Sequence, residues 1–172
     1  GSRLIGFVDA EGRETSYKYD ALGNQILQTT AVGTGDSSIV GSLGAEVTTY
    51  KYDAQNNLRE VINADGESAT FNFDRVYNQT EVKDALGNIT NTSFDALNRV
   101  VEIKNAENDT KTFTYDEVGN QLTQTDEKGR ITQYDYDDND QLLKVVGPDL
   151  VETHYQSDAF GAVISITRAA NI

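Results

Sequence analysis

The stretch YKYDALGNQILQTT (Tyr17–Thr30) returns down the chain as YKYDAQNNLREVIN (Tyr50–Asn63), FNFDRVYNQTEVKD (Phe71–Asp84) and TSFDALNRVVEIKN (Thr92–Asn105). It returns again as FTYDEVGNQLTQTD (Phe113–Asp126), YDYDDNDQLLKVVG (Tyr134–Gly147) and YQSDAFGAVISITR (Tyr155–Arg168). A fixed period decides the architecture before any local propensity does. The aligned aspartates are Asp20, Asp53, Asp74, Asp95, Asp116, Asp137 and Asp158; after a first step of 33, every step is 21 residues. The long step holds a 12-residue insertion, Thr34 to Ala45, rich in Gly and Ser, which reads as a surface loop or extended hairpin.

Two turn signals recur in each repeat. One follows the aromatic residues, as in Asp20-Ala-Leu-Gly23, Asp116-Glu-Val-Gly119 and Asp158-Ala-Phe-Gly161. The other lies midway, as in Asn63-Ala-Asp-Gly66 and Asp84-Ala-Leu-Gly87. Asp or Asn at the first position bonds the backbone two residues on, and Gly or Asn at the fourth accepts a left-handed conformation. The six or seven residues between turns suit a strand and are too few for a stable helix.

Faces follow from alternation. One residue before each Asp stand Tyr19, Tyr52, Phe73, Phe94, Tyr115, Tyr136 and, exceptionally, Ser157. Three before stand Tyr17, Tyr50, Phe71, Thr92, Phe113, Tyr134 and Tyr155, with polar residues between the two rungs. Period-two alternation marks a strand with one buried face. The return strands carry mostly apolar residues six and eight after each Asp, such as Val61, Val82, Ile103 and Val145. An odd repeat length lets aromatic and aliphatic rungs share a face only if the two hairpins differ in parity. A four-residue aromatic-Asp loop and a three-residue second loop, with its Gly as a bulge, would supply the difference. A buried rung of this kind predicts a loss of about 3 kcal/mol for Tyr115→Ala.

Composition narrows the function. The chain has 172 residues, 37% of them hydrophobic, no Cys, Met or Trp, and a formal charge of -14. Disulfides and cysteine zinc sites are excluded, and nucleic acid or an anionic membrane surface would be repelled. No apolar run is long enough to span a bilayer. The Gly1-Ser2 start, with no Met and no signal peptide, reads as a cloning remnant on a piece of a longer protein.

YKYDALGN, FTYDEVGNQL and FDALNRVVEI, recurring every 21 residues with DALGN-type turns between them, resemble RHS/YD repeats over nearly the whole chain from Asp9. The motif positions are Tyr19, Asp20 and Gly23; Tyr52 and Asp53; Phe73 and Asp74; Phe94 and Asp95. They continue as Tyr115, Asp116 and Gly119; Tyr136 and Asp137; and Asp158 and Gly161, where Ser157 replaces the aromatic. The resemblance implies an all-β fold: an antiparallel β-meander of about 14 short strands, two per repeat, forming a curved or spiralling strip of an RHS-type shell. Residues 1–172 are then a single array of about seven repeats with the insertion at 34–45. Such shells enclose a C-terminal toxin in bacterial polymorphic toxins and insecticidal toxin complexes, and related repeats occur in teneurin-type adhesion receptors. The implied role is a non-catalytic segment of a secreted or cell-surface shell that encloses or presents an effector. Its partners would be the remainder of its own shell and that effector. The alternative is a surface strip for adhesion that binds glycan or protein through its tyrosine rows. The self-cleaving DPxGL-like segment of the family has no match, since Gly147-Pro148-Asp149-Leu150 has the wrong order.

Chemistry is sparse. His154 stands alone, and the turn positions of the aspartates account for them without paired-carboxylate catalysis. Asp135, Asp137 and Asn139 open like a calcium loop, but Asp140 replaces its glycine and Val146 its terminal Glu. The expectation is no enzyme, no cofactor and at most adventitious calcium. A fragment with an uncovered apolar face is expected to self-associate or curl strongly.

Overall fold

A computed structural model describes residues 3–10, 13–32, 45–158 and 160–170. The insertion at 34–45 lies outside the described residues except for Ala45. The described chain contains no helix, and its fifteen strands follow sequence order in one open antiparallel sheet. It divides into two compact units, residues 1–89 and 90–172.

The first unit contains β1 (Arg3–Val8), β2 (Arg13–Tyr19), β3 (Gln25–Val32), β4 (Glu46–Tyr52), β5 (Leu58–Ile62), β6 (Ser68–Phe73) and β7 (Gln79–Lys83). β8 (Ile89–Phe94) begins at its boundary. The second continues through β9 (Val100–Lys104), β10 (Thr110–Tyr115), β11 (Gln121–Thr125), β12 (Ile131–Tyr136), β13 (Leu142–Val146), β14 (Val151–Ser157) and β15 (Val163–Ala170). The strand beyond the expected fourteen is β1, which precedes the first aromatic-Asp motif.

Register places the two ladders on one face. Tyr50 lies opposite Val61, Val61 opposite Ala69, and Phe71 opposite Val82. In the second unit Thr92 lies opposite Ile103, Phe113 opposite Gln124, and Tyr134 opposite Val145. Directly opposed residues of an antiparallel pair project to the same side. The opposite face carries polar cross-strand pairs: Lys51 with Glu60 (2.7 Å), Asn72 with Glu81 (2.7 Å), Thr114 with Thr123 (2.7 Å) and Lys144 with Asp135 (2.8 Å).

The device that equalises the faces is not the one expected from sequence. Both turns are the same five-residue connector. In Asp53–Asn57, Asp53 N–H donates to Asn57 C=O and Asn56 N–H donates to Asp53 C=O; Asn63–Glu67 repeats this. The parity difference comes from a β-bulge inside each aromatic-Asp hairpin, as between Lys51 and Tyr52, where Tyr52 faces Leu58 after Lys51 has faced Glu60. The same shift occurs at Tyr19, Phe73, Phe94, Tyr115, Tyr136 and Ser157. A bulge adds one residue to one strand and so reverses the facing of everything beyond it.

The expected buried face is also corrected. Among the described residues no hydrophobic side chain is buried; only Thr15 and Thr29 are. Among the described residues the aromatic rungs are half-buried rather than buried. Within each unit the described residues form strands of a sheet and supply no second layer to complete a core.

Candidate functional site

The repeated unit is the turn that follows the aromatic residue, and its aspartate organises it. Asp116 Oδ1 accepts from the N–H groups of Val118 (3.1 Å), Gly119 (2.7 Å) and Asn120 (2.8 Å), while Oδ2 accepts from the Asn120 side-chain amide (3.0 Å). Asp20, Asp53 and Asp74 hold Leu22, Gln55 and Val76 and then Asn24, Asn57 and Asn78 in the same way. Asp95, Asp137 and Asp158 clamp Leu97 and Arg99, Asn139 and Gln141, and Phe160 and Ala162. Asp84 and Asp126 do this work in the second row of turns. One carboxylate thus satisfies the N–H groups that a tight turn would leave unpaired.

The fourth turn position takes a left-handed backbone. Gly23, Gly119 and Gly161 occupy it at φ 92, 111 and 82, and Asn56 and Asn98 at 67 and 63. Tyr77 (φ 70) and Leu150 (φ 60) hold it with bulky side chains, at a cost of about 1 kcal/mol each.

These bonds lower the aspartate pKa values. The Arg130 side chain, then its backbone N–H, hold the Asp126 carboxyl down at about 2. The Asn88 side chain is the main cause at Asp84. At Asp20 and Asp116 partial desolvation pushes upward, but the Asn24 and Asn120 amides with the turn N–H groups outweigh it. A carboxyl that titrates lower when folded stabilises the fold fully above its unfolded pKa of about 4, and that contribution drains away as pH falls through the folded value. The melting temperature is therefore expected to hold from pH 7 to about 4 and to decline steadily toward pH 2. A pH series followed by circular dichroism checks it, and a flat profile to pH 2 would mean the clamps are not formed.

The aromatic residue before each Asp has a second task. The β3–β4 ladder stops at Leu27 opposite Thr49, so the Gln25 carbonyl beside the bulge has no ladder partner there. The Tyr52 hydroxyl donates to it at 3.0 Å. Tyr115 donates to the Val100 carbonyl at 2.8 Å where the β9–β10 ladder has ended. Burial, the neighbouring Tyr50 or Tyr134, and the preceding turn's Asp20 or Asp116 raise the pKa of Tyr52 and Tyr136. Phe73 and Phe94 keep the ring without the hydroxyl. Arginines reinforce the rung. Arg99 bonds Asp95 (2.7 Å), donates to the Asp116 carbonyl (2.9 Å) and lies 4.6 Å from the Tyr115 ring centroid; Arg3 stacks on Tyr19 at 5.1 Å. Successive turns also bond directly, Asn24 to Asn56 at 3.0 Å and Asn120 to Asp140 at 2.8 Å.

Every motif position thus falls in this clamp or rung, apart from Ser157, which pairs with Val163. The lone His154 is exposed and lies 3.0 Å from Glu152. The calcium-loop-like residues are drawn apart, Asp135 to Lys144 on the polar face and Asp137 into its turn. Among the described residues no group of three or more His, Asp or Glu is placed to hold a metal.

The RHS Repeat family model matches residues 1–34, 52–92, 94–131 and 115–152. The chain belongs to the RHS repeat family. Among solved structures this RHS chain is similar to TcdB2-TccC3 without its hypervariable C-terminal region, at 15% identity and TM-score 0.60, over 95% of this chain and 11% of that one. TcdB2-TccC3 itself aligns at 15% identity and TM-score 0.55, over 98% and 13%. At this identity the likeness concerns the fold, and the RHS chain spans only about an eighth of the length of those it matches. No curated protein sequence matches it.

Proposed function

We propose that this RHS strip is a wall segment of a larger shell that encloses or presents an effector, in a secreted or surface-displayed bacterial protein. The observation that carries this reading is the one-sided sheet. Aromatic and aliphatic rungs share a face on which no described hydrophobic side chain is buried, while the other face carries polar pairs suited to water. A wall needs that asymmetry, and it needs repeats tied through turns and rungs to their neighbours, as the Tyr52, Tyr115 and Asn24 bonds tie them. The strip contributes shape and shielding; neither catalysis nor a cofactor enters this reading. Electron microscopy of the full-length protein tests it. A closed hollow particle with internal density supports the reading, and an open strip with no enclosed volume overturns it.

A further inference from the structure

The second unit carries a groove of about 390 Å³ that the aromatic ladders do not explain. It lies between turns 126–130 and 147–151, with Ile131, Val146, Gly147, Pro148 and Leu150 as its apolar lining. Register puts Ile131 and Val146 on the side of Gln133, Asp135 and Lys144, the face that is otherwise polar. Leu150 is 61% exposed at the left-handed fourth position, φ 60, where the other described turns of that row carry Gly or Asn. A strained backbone that keeps a leucine beside an apolar groove is a cost the turn itself does not require. The matching projection stands at the other end of the same strand. β14 runs from Val151 to Ser157, and the turn beyond it raises Phe160, 97% exposed. Seven extended residues hold groove and ring roughly 23 Å apart, so no chain fills its own groove.

We propose that Phe160 of one chain seats in this groove of a second copy, joining chains rim to rim in an open head-to-tail row. A cavity of about 150 Å³ already holds a benzene ring, so the groove has room for the phenyl side chain. Charge favours the same register. With the two strips progressing in one sense, turn 126–130 falls between turns 137–141 and 158–162 of the second copy. Exposed Lys128 then meets exposed Asp138 of that copy, beside the seated ring. Ring and groove are different patches of one chain, so the contact is heterologous and propagates from copy to copy. It draws only on the two rims of the second unit and holds whether or not the strip walls a shell.

Sedimentation velocity of the chain over a concentration series tests the contact. The parent chain is expected to grow beyond a dimer as its concentration rises toward about 1 mM. Phe160→Asp and Leu150→Asp should each weaken association about thirtyfold or more. Their melting temperatures should stay level with the parent's, since both side chains are exposed and Asp140 already holds a left-handed turn position. Mixed in equal amounts, the two variants should form a 1:1 dimer and nothing larger, because one keeps only the groove and the other only the ring. A parent chain that stays monomeric or stops at a dimer would overturn the proposal, as would a mixture that forms no dimer. Variants that associate as the parent does would also overturn it and assign the association to the aromatic face.

Discussion

Tyr115→Ala is expected to destabilise the second unit by about 2 kcal/mol, and Tyr115→Phe by about 1 kcal/mol. The ring is half-buried among its neighbours, so its removal costs less than the 3–5 kcal/mol of a fully buried aromatic and less than the sequence expectation of about 3. Two specific interactions go with it: the hydroxyl bond to the Val100 carbonyl at 2.8 Å and the Arg99 stack at 4.6 Å. The phenylalanine variant keeps the stack and deletes only the bond, which leaves a carbonyl at the bulge unpaired. Urea midpoints of the two variants read the difference. Equal losses would show that the hydroxyl contributes nothing, and a loss under about 0.5 kcal/mol for alanine would place the ring outside the packed face.

Asp116→Ala should lower the melting temperature by about 5 °C, the scale of a lost capping carboxylate in a unit of this size. The substitution strips one acceptor from three turn N–H groups and one amide at once. Asp116→Asn keeps the carbonyl oxygen that Val118, Gly119 and Asn120 share, and should recover more than half of the loss. The Asn63 turn supports this, since its side-chain oxygen already holds Asp65 and Glu67 N–H groups at 3.1 and 2.9 Å. If both variants melt alike, the charge rather than the turn geometry is what the repeat requires.

The aromatic alternation and the Asp-x-x-Gly or Asp-x-x-Asn turns were legible because both are local: two rungs set a face, and four residues set a turn. The bulge was not, for a physical reason. The extra residue falls at positions such as Leu58 and Arg59, with no Gly to mark it, and the two turns flanking each strand have the same chemistry. Parity demanded an extra residue without saying where it sat. The Tyr52 and Tyr115 hydroxyl bonds depend on that bulge, because it ends the ladder one carbonyl early, so a reading that misplaced the bulge could not foresee them. Tyr77 holds a left-handed turn position that the sequence reading did not single out, and its place beside Arg75 and Phe73 emerged only when adjacent turns came side by side. Likewise β1 was overlooked because it precedes the first motif, although its Ile5 and Phe7 extend the aromatic face opposite Tyr17 and Thr15.

If the strip is the proposed wall segment, the sheet's two faces meet different surroundings in the complete protein, one water and the other an enclosed interior. Thr123 and Gln124 are adjacent yet project to opposite faces, Thr123 with Thr114 and Gln124 with Phe113. The described chain contains no cysteine, so Thr123→Cys and Gln124→Cys report their own faces wherever the full-length protein adds none. Labelling of each full-length variant with a bulky maleimide-polyethylene glycol is the most direct measurement. The account predicts rapid modification at 123 and protection at 124 until the protein is unfolded. Equal rates at both positions in the folded protein would contradict it.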